Sequence, residues 1–298
     1  MRSRTTRSAG ASTSVPRADA RSASLGDAVS AAARRLAGAG PGVDTPRLDA
    51  ELLLAEVLGV GRERLVIDRD AELPDGAAAR FSELVDRRMA REPVAYILGR
   101  RDFRRLTLCV DPRVLIPRPE TELLVEVGLG LADGARVVDV GTGSGAVALA
   151  LKDERPDLVV RGTDLSAGAV EVARQNGARL GLDVAFCVAD LLDGVVDVDV
   201  DADADAVLAN LPYVEEGAVL APEISLYEPA GALFAGADGL DVVRRLIGML
   251  HPRMSLVALE IGSEQAAEVA GLVQDAGFST VEVLADLAGL DRVVVGRR

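Results

Sequence analysis

Apolar residues along this chain recur first at helical and then at strand spacing. Leu25, Val29, Ala32 and Leu36 fall on one helical face. Thr45 and Pro46 supply an N-cap and a first-turn proline for a second helix carrying Leu48, Leu52, Leu53 and Val57, which Gly59 stops. Asp75 caps a further helix carrying Phe81, Leu84, Val85 and Met89, with Pro93 ending it. Residues 25–92 thus predict a small helical bundle, a scaffold or a docking surface for a partner. Over 93–113 the pattern shortens to two strand-like pieces, VAYILG and LTLCV, which predict a β-hairpin linking two domains.

From residue 114 to 298 strands and helices alternate. An extended loop with two prolines, VLIPRPE, runs into a helix near Thr121. The segments ARVVDVG, LVVRGTDLS, VAFCVAD and ADAVLAN read as four buried strands, with helices after the first two. SLVALEIG, STVEVLADL and DRVVVGRR supply the remaining strands, and helices precede the first two of them. Alternation of this kind predicts an α/β fold, a parallel, Rossmann-like sheet wound on both faces. Such sheets bind ligands at the carboxyl ends of their strands.

At 298 residues the chain has room for this domain and a smaller one. Its net charge of −14 argues against a protein that coats nucleic acid, which needs a basic face. No apolar run reaches the length of a membrane span. Two cysteines, Cys109 and Cys187, and one histidine, His251, cannot build a disulfide framework or a metal cluster, so a reduced cytoplasm is the expected compartment. The first 24 residues, rich in Arg, Ser and Ala, predict a disordered tail, and the acidic run over 193–205 a solvated loop.

The candidate chemistry lies at the predicted strand ends. VVDVGTGSGAVA places Gly141, Gly143 and Gly145 between a strand and a helix, where backbone approaches a ligand closely. Taken alone, that spacing also satisfies a dinucleotide fingerprint. Asp139, two residues before the first glycine, would repel a pyrophosphate and favour a cationic ligand such as a sulfonium. Asp164 ends the second strand, where a carboxylate accepts from ribose hydroxyls. Asp190 ends the third, within reach of an adenine amine, with Leu191 and Leu192 as apolar contacts. Three acids around one glycine loop make S-adenosylmethionine the better ligand. The fourth strand then delivers Asn210-Leu211-Pro212-Tyr213. An amide or exocyclic amine nitrogen is a poor nucleophile, and the Asn210 oxygen and the Leu211 carbonyl offer two acceptors to orient it. Pro212 fixes the turn and Tyr213 presents a flat wall.

NLPY is similar to the Asn-Pro-Pro-Tyr motif of amino-group methyltransferases, with Leu211 in place of the first proline. That motif leaves adenine, guanine and glutamine open as acceptors. The further stretches REPVAYILGRRDF, VLIPRPETELLVE, DVGTGSGAVALAL, EPAGALFAGADGLD, LEIGSEQ and DLAGLDRVVVG together resemble the peptide-chain release factor N(5)-glutamine methyltransferases (PrmC/HemK). The resemblance runs from Leu25 to Arg298. It implies a class I S-adenosylmethionine-dependent methyltransferase sheet behind a helical substrate-docking domain. The activity implied is methyl transfer to the glutamine of the Gly-Gly-Gln motif in class I release factors, with no direct role for nucleic acid. By the same resemblance Gly141, Thr142, Gly143, Ser144, Gly145, Asp164, Leu191 and Asn210 hold the cofactor, and Asn210 to Tyr213 hold the glutamine. Arg118, Pro119, Thr121 and Glu122 match a loop near the active site. Leu211 keeps the needed carbonyl but loses the rigidity of a proline. Second readings are the same chemistry on a ribosomal protein, a nucleic-acid amine methyltransferase, and a cofactor-binding protein without turnover.

Overall fold

The computed structural model describes residues 23–38, 43–193 and 204–298. Most of the tail expected over 1–24 and most of the acidic run over 193–205 lie outside the described residues. The chain divides into two compact units, the first ending at Val85 and the second running from Asp86 to Arg298.

In the first unit, helix α1 (Leu25–Ala37) buries Leu25, Val29, Ala32 and Leu36, the four positions its spacing predicts. Ser24 and Asp27 form a reciprocal capping box at its start. Helix α2 (Pro46–Leu58) has its proline in the first turn and ends on Gly59, which takes a left-handed conformation. Thr45 stands at the N-cap position, but its hydroxyl donates to Asp49 Oδ1 at 2.8 Å instead of capping the backbone. A short α3 (Arg62–Ile67) follows, and α4 (Ala77–Met89) crosses the division between the units. The last helix begins two residues beyond Asp75 and ends four before Pro93.

The second unit opens with a correction. VAYILG is not a strand: Val94–Leu98 forms helix α5, with Pro93 before it and Gly99 left-handed after it. The hairpin lies further on, pairing β1 (Arg100–Phe103) with β2 (Leu106–Cys109) in antiparallel register, Arg100 opposite Cys109. Its two-residue turn puts Arg104 at φ 51°. Five apolar residues fit a helix turn or a strand equally well, and the proline and glycine that bracket them decide for the helix.

Seven strands form one sheet: β3 (Arg136–Val140), β4 (Val159–Asp164), β5 (Ala185–Val188), β6 (Ala206–Ala209), β7 (Leu256–Glu260), β8 (Thr280–Ala285) and β9 (Asp291–Arg297). Their spatial order is β5-β4-β3-β6-β7-β9-β8. The first five are parallel, while β9 runs antiparallel to both β7 and β8. Strand order reverses between β3 and β6, and the crevice for a ligand lies above that point. Alternate strand residues enter opposite cores. Val137, Leu208 and Ala258 pack under α6 (Glu122–Leu129) and α7 (Ala146–Glu154). Val138, Val207 and Val257 pack under α9 (Asp241–Met249) and α10 (Ala266–Asp275). Burial on both faces explains why these strands are near-continuous apolar runs. None of the described helices is long and apolar enough to cross a membrane.

One buried amide joins the hairpin to the loop that follows β3. Asn176, on α8 (Ala167–Leu180), is fully buried. Its Oδ1 accepts from Cys109 N at 2.7 Å, and its Nδ2 donates to the carbonyls of Cys109 and Ser144, each at 3.0 Å. Replacing it with Ala strands three backbone groups, so Asn176→Ala lowers the unfolding free energy by about 2–4 kcal/mol. Urea denaturation measures this, and a change below about 1 kcal/mol contradicts the role.

Candidate active site

The strand ends around the reversal point surround a cavity of about 410 Å³, within the range of small-molecule sites. Its floor is the loop after β3. Gly141, Gly143 and Gly145 all take positive φ, at 73°, 56° and 84°, conformations that L-residues rarely adopt. The loop hangs on the end of β4: Gly141 N and Thr142 N both donate to the Thr163 carbonyl, at 2.9 and 2.8 Å. Gly143 N donates to Asp164 Oδ2 at 2.9 Å, and Asp164 Oδ1 accepts from Ser166 N at the same distance. The Thr163 hydroxyl donates to the Leu191 carbonyl at 3.0 Å, tying in the loop after β5. Leu191 itself is buried at φ 57°, a left-handed conformation that costs a leucine ~1–2 kcal/mol.

Asp139 lines the cavity from beneath. Its Oδ2 accepts from the Thr142 hydroxyl at 2.6 Å and from Ala148 N at 3.1 Å. Burial pushes this carboxyl up to about 7 against the pull of those two donors. Asp139 therefore braces the glycine loop, and near neutral pH its charge is only partial, which weakens the purely electrostatic role expected from its spacing. Burial also raises the carboxyl of Asp164, opposed by its two backbone donors.

Opposite the glycine loop stands the end of β6. The Asn210 side chain donates from Nδ2 to Thr121 Oγ1 at 2.9 Å, which leaves Oδ1 as its acceptor. Leu211 is buried, and its Cδ2 packs over Gly141, where an added Cβ would meet it at 3.1 Å. Packing onto the glycine turn replaces the rigidity that a proline ring would give. Tyr213 is half-buried, and its phenol is pushed up to about 12 by burial and by the charge of Glu260. It stays neutral and offers a ring, not a base. His251 accepts from Arg253 N at 3.2 Å in a turn, a structural role.

Of the residues marked in the sequence, Gly141 to Ser144, the three aspartates, Leu191, Asn210 to Pro212 and Thr121 line the cavity. Gly145, Tyr213, Arg118, Pro119 and Glu122 lie outside its wall. Gly145 serves packing: a Cβ there would stand 2.9 Å from Leu149 Cδ1 and 3.2 Å from the Phe186 ring. Glu122 turns to the hairpin and accepts from Arg104 N at 3.1 Å. Arg118 pairs with the buried Glu228, which also accepts from Ile116 N at 3.1 Å and so holds the proline-rich loop. Pro229, Gly231 and Ala232, just after that glutamate, also line the wall, as do Leu115, Pro117 and Arg245. Arg245 donates to Asp190 Oδ2 at 2.8 Å. Sequence reading missed Glu228 and Arg245 because each meets its partner across the fold, and it missed Glu260. That last side chain sits at the end of β7, 1% exposed, and burial pushes it up to about 7. An acid closing an apolar strand was the available signal.

Two family models match the chain: the PrmC N-terminal domain over residues 27–99 and the methyltransferase small domain over 119–226. A release factor glutamine methyltransferase of Neisseria gonorrhoeae is 43% identical over 257 residues, covering 85% of this chain and 93% of that protein. One from Cereibacter sphaeroides is 42% identical over 279 residues, covering 91% of this chain and 97% of that protein. Among solved structures, the hMettl16 catalytic domain in complex with MAT2A 3'UTR hairpin 1 superposes with a TM-score of 0.50 at 15% identity, over 78% of this chain and 84% of that one. That likeness shows the fold alone.

The raised carboxyl of Asp139 carries a sign. A buried acid whose folded value lies above its unfolded value contributes stability that is complete below about pH 4 and is lost as pH rises through about 7. Asp139→Asn cannot ionise, so its stability relative to wild type improves from pH 5 to pH 8. Urea midpoints at the two pH values test this, and an unchanging difference contradicts it.

Proposed function

The chain belongs to the release factor glutamine methyltransferase family, and we propose that it methylates the side-chain nitrogen of the glutamine in the Gly-Gly-Gln motif of class I release factors, with S-adenosylmethionine as donor. The observation that carries this is the pairing, in one cavity, of an Asp164-braced glycine loop with an Asn210 carboxamide whose nitrogen is already engaged. When bound, S-adenosylmethionine supplies an electrophilic methyl on a sulfonium.

The residues fit that donor. Asp164 accepts one backbone N–H on each oxygen, and a carboxylate has lone pairs left for ribose hydroxyls. Leu191 offers an apolar wall, and the paired Asp190 and Arg245 line the same cavity. They also fit a carboxamide acceptor. Amide nitrogen has a delocalised lone pair, so this chain's task is orientation. Asn210 Oδ1 and the Leu211 carbonyl receive the two N–H groups and point the lone pair at the methyl carbon. Acceptor dipoles also stabilise the positive charge that reaches nitrogen as the bond forms. Tyr213, neutral and outside the cavity wall, offers a flat surface to the approaching substrate chain.

A glutamine side chain is small, and a pocket of its size discriminates weakly. We assign the choice of protein substrate to docking by the helical residues 25–92, and place the enzyme in the cytoplasm with its release factors. Nucleic acid has no direct part in this reading.

Mass spectrometry of a release factor incubated with this protein and the donor should find one methyl on the Gly-Gly-Gln glutamine and none without the protein. An unmodified glutamine contradicts the proposal. Asp164→Ala should weaken donor binding by ~1–3 kcal/mol in calorimetry. Asn210→Ala should lower turnover by roughly 100-fold or more while donor affinity stays within a few-fold. Wild-type turnover in that variant removes Asn210 from the mechanism.

A further inference from the structure

Resting on the reading that Asn210 and the Leu211 carbonyl receive the substrate amide, we propose that Gln265 is a positioning residue that clamps the Tyr213 carbonyl and so sets the geometry of the turn Asn210 to Tyr213.

That turn is an arch between two stretches of backbone pairing. Strand β6 pairs with β3 and β7 as far as Ala209. Pairing resumes at Val214, whose N–H donates to the Leu233 carbonyl and whose carbonyl accepts from Ala235 N, both at 2.9 Å. The groups offered to the substrate amide lie in between. At the near foot, the Asn210 side chain is held by Thr121. At the far foot stands Gln265, the residue just before α10. Its Nε2 donates to the Tyr213 carbonyl at 3.0 Å and to the Asp238 carbonyl at 3.2 Å, while its Oε1 accepts from Gly262 N at 2.9 Å. Two acceptors and one donor around the carboxamide allow only this flip. A displaced Tyr213 carbonyl turns the peptide planes behind it, and the Leu211 carbonyl lies two planes away. A misplacement of about 1 Å costs on the order of 100-fold in rate.

The surroundings are shaped for this contact. Gly239 takes φ 76°, and a Cβ there would overlap the Tyr213 oxygen and stand 2.9 Å from Gln265 Nε2. Any other residue at this position displaces the clamp. Asp238, whose carbonyl shares the Gln265 amide, is pinned in turn by Arg244, which donates to its two carboxylate oxygens at 3.0 and 2.6 Å. The Tyr213 ring lies beside Gly262, where an added Cβ would meet Cδ2 at 3.7 Å. One carboxamide therefore holds both the main chain of Tyr213 and the loop beside its ring. Gly239 belongs to EPAGALFAGADGLD, and Gly262 and Gln265 belong to LEIGSEQ; the two stretches meet on the backbone of NLPY. None of these three residues lines the cavity, so contact with the donor does not account for them.

Variants of the full-length protein separate positioning from folding. Gln265→Glu keeps the shape and the acceptor for Gly262 N, and loses both donated bonds. Gly239→Ala drives the Tyr213 carbonyl off the clamp from a different loop. The proposal expects each variant to lower kcat by roughly 10- to 100-fold, with the KM for release factor and the donor affinity unchanged. Wild-type kcat in either folded variant overturns the proposal and leaves the assigned function intact. A wild-type chain that transfers no methyl defeats that assignment itself. A second readout needs no variant. The side-chain amide signals of Gln265 and Asn210, assigned by NMR through their bonds to the backbone, should both move when a Gly-Gly-Gln peptide is added with S-adenosylhomocysteine. The peptide loads the arch at one foot, and Gln265 holds the other. A Gln265 signal that stays still while that of Asn210 moves overturns the proposal, even where both variants fail to fold.

Discussion

Loops at the carboxyl ends of a parallel sheet leave the hydrogen-bond ladder behind, and in this protein carboxylates take over as their acceptors. Asp164 receives Gly143 and Ser166, and Asp139 receives Thr142 and Ala148. Glu228 receives Ile116 and Arg118. Hydrogen bonds to an ionised acceptor are stronger than neutral ones, and each of these fixes a wall segment that no strand pairs with. Negative charge is thereby gathered under one cavity and out of water. Asp139 and Glu260 answer by rising to about 7. The site thus gains rigidity from groups whose charge near neutrality is only partial.

Orientation of Asn210 depends on this frame. Methyl transfer to an amide nitrogen needs little acid–base power and much alignment, and alignment needs walls that do not shift. Leu211 shows how such a wall tolerates a change of residue type. Where related motifs carry a proline, this chain carries a leucine buried against Gly141. The glycine turn is held down by side-chain packing, and the carbonyl that the chemistry requires is the same for either residue.

The sheet was readable because strands buried on both faces are written as apolar runs, and VVDV, AVLA and LVALE appear where β3, β6 and β7 form. Helix α1 was readable from its one-sided spacing. The glycine loop, Asp164, Leu191 and Asn210 were marked by their places at strand ends. VAYILG misled because a short apolar run carries no period of its own, and Pro93 and Gly99 were the better guides. Asp190 was read as facing a ligand, and its ion pair with Arg245 spans 55 positions of sequence. Thr121 meets Asn210 across 89 positions, and Ile116 meets Glu228 across 112. Contacts of that range are set by topology, and no local pattern encodes them.

A crystal structure of the protein with S-adenosylhomocysteine and a Gly-Gly-Gln peptide tests the central claim most directly. The account predicts the glutamine carboxamide nitrogen about 3 Å from both Asn210 Oδ1 and the Leu211 carbonyl, with Thr121 still bonded to Asn210 Nδ2. A glutamine bound away from Asn210, or an Asn210 side chain that has left Thr121, would contradict it.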